Sequence, residues 1–495
     1  MIAKVSSIIP YGLSAKLIDV EGDSSRGLPI FNIIGLASRA LTEAKDRVRS
    51  AIKNSNLLFP PNHLTVNLAP AELAKSGTHL DLAIALAVIV ASNQLLERDI
   101  ENKLFIGELS LDGHIKPVPS IFNLVEEAKL AGFKEIYIPV DNLSEVTSAP
   151  GITIYGADTL IKLILHLKGQ RQLVTSDQVI FTTKPKAKSA ISFNDVLGHE
   201  FEKRALSIAI AGHHNALMIG PPGCGKSLLA RSTHSLLPPL TESERYELNK
   251  IYSAAGQHFD GARPFRTPHC SATLAAMSGN NLKPGEFTLA HHGVLYLDEF
   301  PYFSKNILSS LRQPLEDRQI LVSRALEKQL YPANFTLIAT MNPCPCGYAG
   351  TKECRCSKTE IKSYLKDLTE PLLSRFDIIL NLKEESNSAL LTQNSASQND
   401  VKNTITGVIS KQFADLGAPS GTANITTILQ NTTLDEAAKH LLETTHFPSN
   451  REFFKVLRLA RTIADFDYQN TVTPTIVQEA LKMHQEPLFY PCISE

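Results

Sequence analysis

The octapeptide Gly220-Pro221-Pro222-Gly223-Cys224-Gly225-Lys226-Ser227 leaves few folds open to this chain. Its glycines let backbone N–H groups wrap around phosphate oxygens, and the pattern works only where a strand turns into a helix. Ala216 to Ile219 is a short apolar run that reads as a buried strand, and Leu228-Leu229-Ala230 begins a helix. The octapeptide therefore reads as a phosphate loop. Gly220, Pro221, Pro222, Gly223, Cys224 and Gly225 surround the nucleotide, Lys226 reaches the β- and γ-phosphates of ATP, and Ser227 ligates Mg²⁺. Cys224 reads as a small filler, since nothing around it favours a thiolate.

Three more apolar runs, Val294 to Leu297, Phe335 to Met341 and Ile378 to Leu382, predict a parallel sheet with helices on both faces. Ligands of such sheets bind at the carboxyl ends of the strands, and polar residues stand there. Asp298 and Glu299 end the second run, Asp298 for the Mg²⁺ shell and Glu299 to polarise the attacking water. An acid pair after a strand also suits a solvated turn, but about 70 residues beyond a phosphate loop it reads as that loop's partner. Asn342, after the third run, either fixes that water or caps the turn before Pro343. Arg375 lies in a helix-to-strand junction and offers a cation to the charge developing on the γ-phosphate. It is expected to point outward, at a neighbouring subunit.

At 495 residues the chain is too long for one core and suggests about three domains. Residues 1–168 alternate β-like runs (Leu64 to Leu68, Ile136 to Ile138, Ile152 to Tyr155) with helical ones (Ala40 to Ile52, Leu80 to Ala91, Ile121 to Ala131), a mixed α/β domain. Residues 169–192 are polar and basic around Lys184 to Lys188, a linker or a nucleic-acid strap. The nucleotide core spans 193–383, a joint rich in Ser, Asn and Gln spans 384–404, and 405–495 is helical, clearest at Phe453 to Asp465 and Pro474 to His484. A net charge of −1 excludes nucleic-acid binding by bulk charge, so DNA contact must use local basic positions or an assembled channel. No apolar run reaches membrane-span length and the N-terminus has no signal-peptide pattern, so no membrane partner is expected and the cytoplasm is the expected compartment.

Seven cysteines argue against a disulfide framework. Cys344 and Cys346, then Cys354 and Cys356, form a cluster that either holds Zn²⁺ in a closed tetrahedral site or supplies reduced structural thiols; single-residue spacing within each pair is tighter than usual for zinc. Arg263-Pro264-Phe265-Arg266 interleaves bases with an aromatic, as a DNA-touching pore insertion does and as a packed cation also does, with Arg266 the DNA-facing candidate.

The block Pro284-Gly285-Glu286-Phe287-Thr288-Leu289-Ala290-His291-His292-Gly293, the acidic strand after it, Leu311 to Asp317, and Met341 to Gly347 together resemble the magnesium-chelatase-like AAA+ ATPases, and within them the YifB/ComM group of competence-associated helicases. The likeness covers nearly the whole chain, including Ser25 to Pro29 and Ala44 to Arg49. Ser374-Arg375-Phe376-Asp377 and Gln319 to Ala325 also resemble MCM replicative helicases. The resemblance implies a homo-oligomer, a hexamer, using ATP and Mg²⁺ on branched or single-stranded DNA. It implies that Arg375 is an arginine finger acting in trans, that Arg451 in Ser449-Asn450-Arg451 contacts the γ-phosphate, and that Arg324 sits on a pore hairpin touching DNA. From the residues alone, Arg324 is equally a solvated hairpin charge. Two departures are modest: Ser227 where Thr is commoner, and His199 where Gln is usual.

The first domain resembles the S5-like Lon protease domain in outline, from Leu68 through His79 and Gly107 through Val118. Its matching positions hold His79 instead of the serine nucleophile and Phe122 instead of the lysine base, so no proteolysis is expected. Ser76 beside Lys75 is no substitute, because neighbours on one strand or helix point apart. The resemblance to the YifB/ComM group implies that the function is that of a branch-migration motor in recombination during natural transformation. The alternative is a chelatase-type protein remodeller, against which the first domain weighs because the magnesium chelatase ATPase subunit is not expected to carry it.

Overall fold

Two hydrophobic patterns in the chain build two different sheets. The computed structural model describes all residues except 1, 36–38, 74, 76, 147–150, 179–190, 281–282, 325–326, 385–397, 488 and 490–495. They divide into two compact units, Met1–Lys184 with Tyr246–Asp260 and Asn281–Lys283, and Pro185–Arg245 with Gly261–Asn280 and Pro284–Glu495.

In the first unit, strands with alternating burial, such as His63–Ala69, lie in an eight-stranded mixed sheet. Its order is Val174–Thr175, Thr153–Ala157, Glu135–Pro139, Lys103–Phe105, Ile2–Tyr11, Ser14–Ser25, His63–Ala69, Phe31–Ile34. Tyr11 pairs with Ser14 across a two-residue hairpin loop, where Gly12 takes the positive φ of 62° that such loops favour. The helix Asp81–Ala91 is apolar all round and correspondingly buried on every side. Its one charge, Asp81, accepts two hydrogen bonds from the Arg47 guanidinium, at 2.8 and 3.1 Å. Burial raises the Asp81 carboxyl, an effect the Arg47 hydrogen bonds oppose.

The positions read against a protease hold no nucleophile–base pair among the described residues. His79 is buried against the carbonyl of Pro119, 3.1 Å from Nε2, and burial lowers its pKa, favouring the neutral ring. Phe122 packs edge-on to Tyr246, and the buried Lys75 ammonium donates to the carbonyl of Pro70. Ser76 lies outside the described residues.

In the second unit, four-residue stretches such as Ala216–Ile219 and Val294–Leu297 are buried throughout, as strands covered on both faces must be. They form an all-parallel sheet in the order Phe265–Arg266, Val294–Leu297, Thr336–Met341, Ala216–Ile219, Ile378–Asn381. The four expected strands are all present. The fifth, Phe265–Arg266, escapes sequence reading because two residues carry no periodicity. The C-terminal helices include Gln398–Leu416, Asn450–Phe466 and Pro474–Met483. Arg204, on the core helix Glu200–Gly212, ties down the last two by pairing with Asp467 at 2.7 Å and Glu479 at 2.6 Å.

The boundaries differ from those read in the sequence. Residues 246–260, read as part of the core, group with the first unit, and the helical C-terminal segment shares a unit with the core. Val174–Thr175, placed in the linker, is an edge strand, and the end of the 384–404 joint is already helical from Gln398. The basic run at 184–188 and the body of that joint lie outside the described residues. No described helix is long and apolar enough to cross a membrane.

Candidate active site

Parallel pairing brings the polar strand ends together. Ile219 is level with Met341 on one side and Asn381 on the other, so the phosphate loop starts beside Asn342. Gly223 and Gly225 hold φ of 84° and 86°, the left-handed region that a side chain would strain, and Gly225 leads directly into the helix Lys226–Ser232. The Lys226 ammonium bends back over the loop and donates to the carbonyls of Gly220 at 2.8 Å and Pro221 at 2.6 Å. Burial lowers its pKa, while Cys224 and Asp298 oppose that shift. The Cys224 thiol is raised, chiefly by burial, the reverse of what a reactive thiolate needs.

Asp298 is the convergence point. It accepts from Ser227 Oγ at 3.0 Å and from Thr340 Oγ1 at 2.5 Å, and Thr340 in turn meets the Tyr296 hydroxyl at 3.1 Å. Burial alone would raise its carboxyl, but hydrogen bonds involving Thr340, Tyr296, Ser227 and the Glu299 N–H hold it below its ordinary value. A hydroxyl beside an ionised carboxylate is the oxygen donor set that suits Mg²⁺. Glu299 follows with φ 53° and ψ 47°, a left-handed conformation costing a non-glycine residue about 1–2 kcal/mol. The kink leaves its side chain exposed while its N–H stays on Asp298, at 3.1 Å. Such local strain collects at functional sites.

Asn342 directly follows the strand Thr336–Met341, and its carbonyl accepts from the Tyr364 hydroxyl at 3.3 Å. Arg375 departs from expectation. Its side chain is not turned outward but is buried, with the guanidinium on Glu316 and Nε without a partner. Glu316 is half exposed and also lies 3.8 Å from Arg451, so one carboxylate faces both arginines, of which only Arg375 is buried. Arg451 sits in the first turn of Asn450–Phe466, partly exposed, its pKa lowered by burial.

Arg266 also finds a partner inside the fold. It lies on the edge strand with its guanidinium on both oxygens of Glu286, at 2.6 and 2.8 Å, which is the packed-cation arrangement. Arg324 ends the first strand of the hairpin Gln319–Arg324/Glu327–Pro332, across from Glu327; its side chain lies outside the described residues. The sulfurs of Cys344, Cys346, Cys354 and Cys356 all lie within 4.8 Å of one another.

Four residues join the site without having been expected there. Thr340 and Tyr296 are apolar-strand positions whose hydroxyls become functional only through strand pairing, and Glu316 carried no assigned role. His199, singled out only as a departure from Gln, lies beside the phosphate loop: a Cβ added to Gly225 would be 3.6 Å from its Nε2.

A phosphate loop on a five-stranded parallel sheet, with an acidic strand end beside it, defines a P-loop protein of the AAA+ class. A family model described as magnesium chelatase, subunit ChlI, matches residues 192–390, one described as subunit ChlI of Mg-chelatase matches 20–142, and a C-terminal ChlI model matches 395–484. The competence protein ComM of Haemophilus influenzae is 35% identical over 496 residues, covering 97% of each chain. YifB of Escherichia coli is 37% identical over 490 residues, 95% of this chain and 94% of its own. The chain belongs to the YifB/ComM family of magnesium-chelatase-like AAA+ proteins. The DNA replication licensing factor Mcm2 of Drosophila melanogaster is 27% identical over 253 residues, 46% of this chain and 26% of its own. One expectation falls: a model described for the chelatase subunit matches residues 20–142, so the first domain does not weigh against a chelatase-type role.

Proposed function

We propose that this chain is an Mg²⁺-dependent ATP hydrolase that works as a homo-hexameric ring on branched or single-stranded DNA, driving branch migration in recombination during natural transformation. The observation that carries the hydrolase reading is the convergence of Ser227 and Thr340 on Asp298, beside the phosphate loop and next to the kinked Glu299. Mg²⁺, when bound, neutralises charge on the phosphates. Ser227 and Asp298 hold it, Lys226 leaves its carbonyl partners for the phosphates, Glu299 accepts the proton of the attacking water, and Asn342 orients that water. Arg451 meets the γ-phosphate. Arg375 serves a neighbour's site, which requires it to exchange Glu316 for phosphate.

The DNA reading rests on near-full-length likeness to a competence protein, on the shorter likeness to Mcm2, and on the hairpin carrying Arg324. Leu321 and Leu330 pair across that hairpin and stay about half exposed, at 45% and 54%, as residues at a ring's inner or subunit surface do. Arg266, already paired with Glu286, contributes less. The four clustered thiols we read as a structural Zn²⁺ site. A second reading, a chelatase-type protein remodeller, is favoured by the three family models that carry the chelatase name. Proteolysis is disfavoured by His79 and Phe122.

ATPase rate with and without four-way or forked DNA, together with strand movement by wild type and Glu299→Gln, separates these readings. DNA-stimulated hydrolysis and junction movement, both lost in Glu299→Gln, are expected. A DNA-insensitive ATPase unable to move a junction would leave the remodeller.

A further inference from the structure

The segment after Asn342 leaves the nucleotide site, passes through the four cysteines and returns to Asn342. Cys344 is buried two residues beyond Asn342. After Cys356, Ser357 caps the helix Lys358–Leu365, its hydroxyl accepting from the Glu360 N–H at 3.2 Å while the Glu360 carboxylate accepts from the Ser357 N–H at 2.8 Å. From that helix the Tyr364 hydroxyl donates back to the Asn342 carbonyl at 3.3 Å. Both ends of the excursion therefore meet at the residue assigned to the attacking water.

The sulfur geometry fits a metal. Cys354 Sγ lies 3.9 Å from Cys344 Sγ and 3.8 Å from Cys346 Sγ. Zn–S bonds of about 2.3 Å at tetrahedral angles place sulfurs about 3.8 Å apart. The spacing between Cys344 and Cys346, 3.3 Å, is shorter, but far longer than the bond of about 2.05 Å in a disulfide. Four thiol ligands leave no open position for a reactant, so such a site is structural.

The same loop touches the phosphate loop. Gly347, one residue past Cys346, holds a φ of 89°, and a Cβ there would fall 2.4 Å from Cδ of Pro222 and 3.5 Å from its backbone nitrogen. No side chain fits between the two loops.

Resting on the zinc reading above, we infer that the cysteine loop is a metal-set brace of the nucleotide site, fixing Asn342 through its two ends and supporting Pro222 through Gly347. Cys344, Cys346, Cys354, Cys356 and Gly347 are positioning residues and touch no reacting atom. Thiolate ligation fixes the loop; the loop fixes where the water-holding amide and the phosphate-binding backbone stand relative to each other. Displacement by even an ångström lowers turnover by about tenfold to a hundredfold.

The test uses the full chain purified without chelator: wild type, the double variant Cys354→Ser/Cys356→Ser, and Gly347→Ala. Zinc content, affinity for a ribose-labelled fluorescent ATP analogue, and ATPase rate are measured on each. Wild type is expected to hold one zinc per chain. The double variant should lose the metal and turn over at least about tenfold more slowly, and Gly347→Ala should keep the metal yet bind the analogue more weakly. A zinc-free double variant with wild-type affinity and turnover, or a Gly347→Ala protein indistinguishable from wild type, overturns the brace while the metal site stands. Metal-free wild type overturns the zinc reading itself, and the brace with it.

Discussion

Thr340→Val isolates the hydrogen bond that keeps Asp298 ionised. Valine matches threonine in shape, and Thr340 is buried, so the change keeps the packing and removes the hydroxyl with its bonds to Asp298 and Tyr296. The bond removed is short, 2.5 Å from Oγ1 to Asp298 Oδ1, and its acceptor is charged. Hydrogen bonds to charged groups contribute about 1.5–3 kcal/mol. Asp298 is only partly buried, so solvent screens part of this and the lower end applies, about 1.5 kcal/mol or about one pKa unit. Asp298 titrates below its ordinary value in the fold. Its ionised form therefore contributes stability that is complete above the unfolded-state value and is lost as pH falls through the folded one. With Thr340 removed, burial gains weight, the carboxyl rises, and protonation begins at higher pH. The acid limb of the ATPase pH–rate profile should move up by about one unit, and the Mg²⁺ concentration for half-maximal rate should rise on that acid limb while keeping its wild-type value near neutral pH, where the carboxyl is ionised in both proteins. Both are read by steady-state phosphate release at saturating ATP, across pH and across Mg²⁺. An unmoved acid limb with unchanged Mg²⁺ dependence would refute the role given to the Thr340–Asp298 bond.

Two further outcomes follow from the arginines. Arg375→Ala should lower kcat by on the order of 10³, and mixing it with Lys226→Ala subunits should restore part of the activity if Arg375 serves a neighbour's site; equal inactivity of the mixture would assign Arg375 to its own subunit. Glu316→Gln leaves buried Arg375 without its charge partner and should destabilise the chain by about 1–3 kcal/mol, below the cost for a fully buried pair because Glu316 is half exposed. With no tryptophan in the chain, urea unfolding is followed by circular dichroism, and an unshifted midpoint would show that the pair contributes nothing to stability.

Much of this site was legible because its parts are local. The phosphate loop, the acidic strand end and Asn342 each follow a buried strand, and a run of four to six apolar residues announces itself without partners. The second unit's edge strand was not legible, since Phe265–Arg266 depends on pairing with Val294–Leu295 for its existence. Nor was the direction of Arg375. A junction arginine after a helix reads as exposed, and only the carboxylate of Glu316, 59 positions earlier, turns it inward. The cysteine cluster falls between these cases: spacing suggested a metal, and folding the nine residues that separate Cys346 from Cys356 brought the sulfurs into range.

By itself, then, the sequence determined which residues the proposed chemistry can use: a phosphate-loop motif, an acidic strand end offered for magnesium and as the base, and no serine–lysine pair at the matched positions of the first domain. Those features are properties of residue type and local spacing, which side chains carry with them wherever the chain goes. Only the tertiary structure decided how the charges are held. Thr340 and Tyr296 reach Asp298 because parallel strands stand in register, Glu316 gathers Arg375 and Arg451 from segments 59 and 135 positions away, and Gly347 meets the Pro222 ring because it offers no side chain of its own to keep the loops apart. Contacts of that kind depend on distances in space that no local pattern encodes.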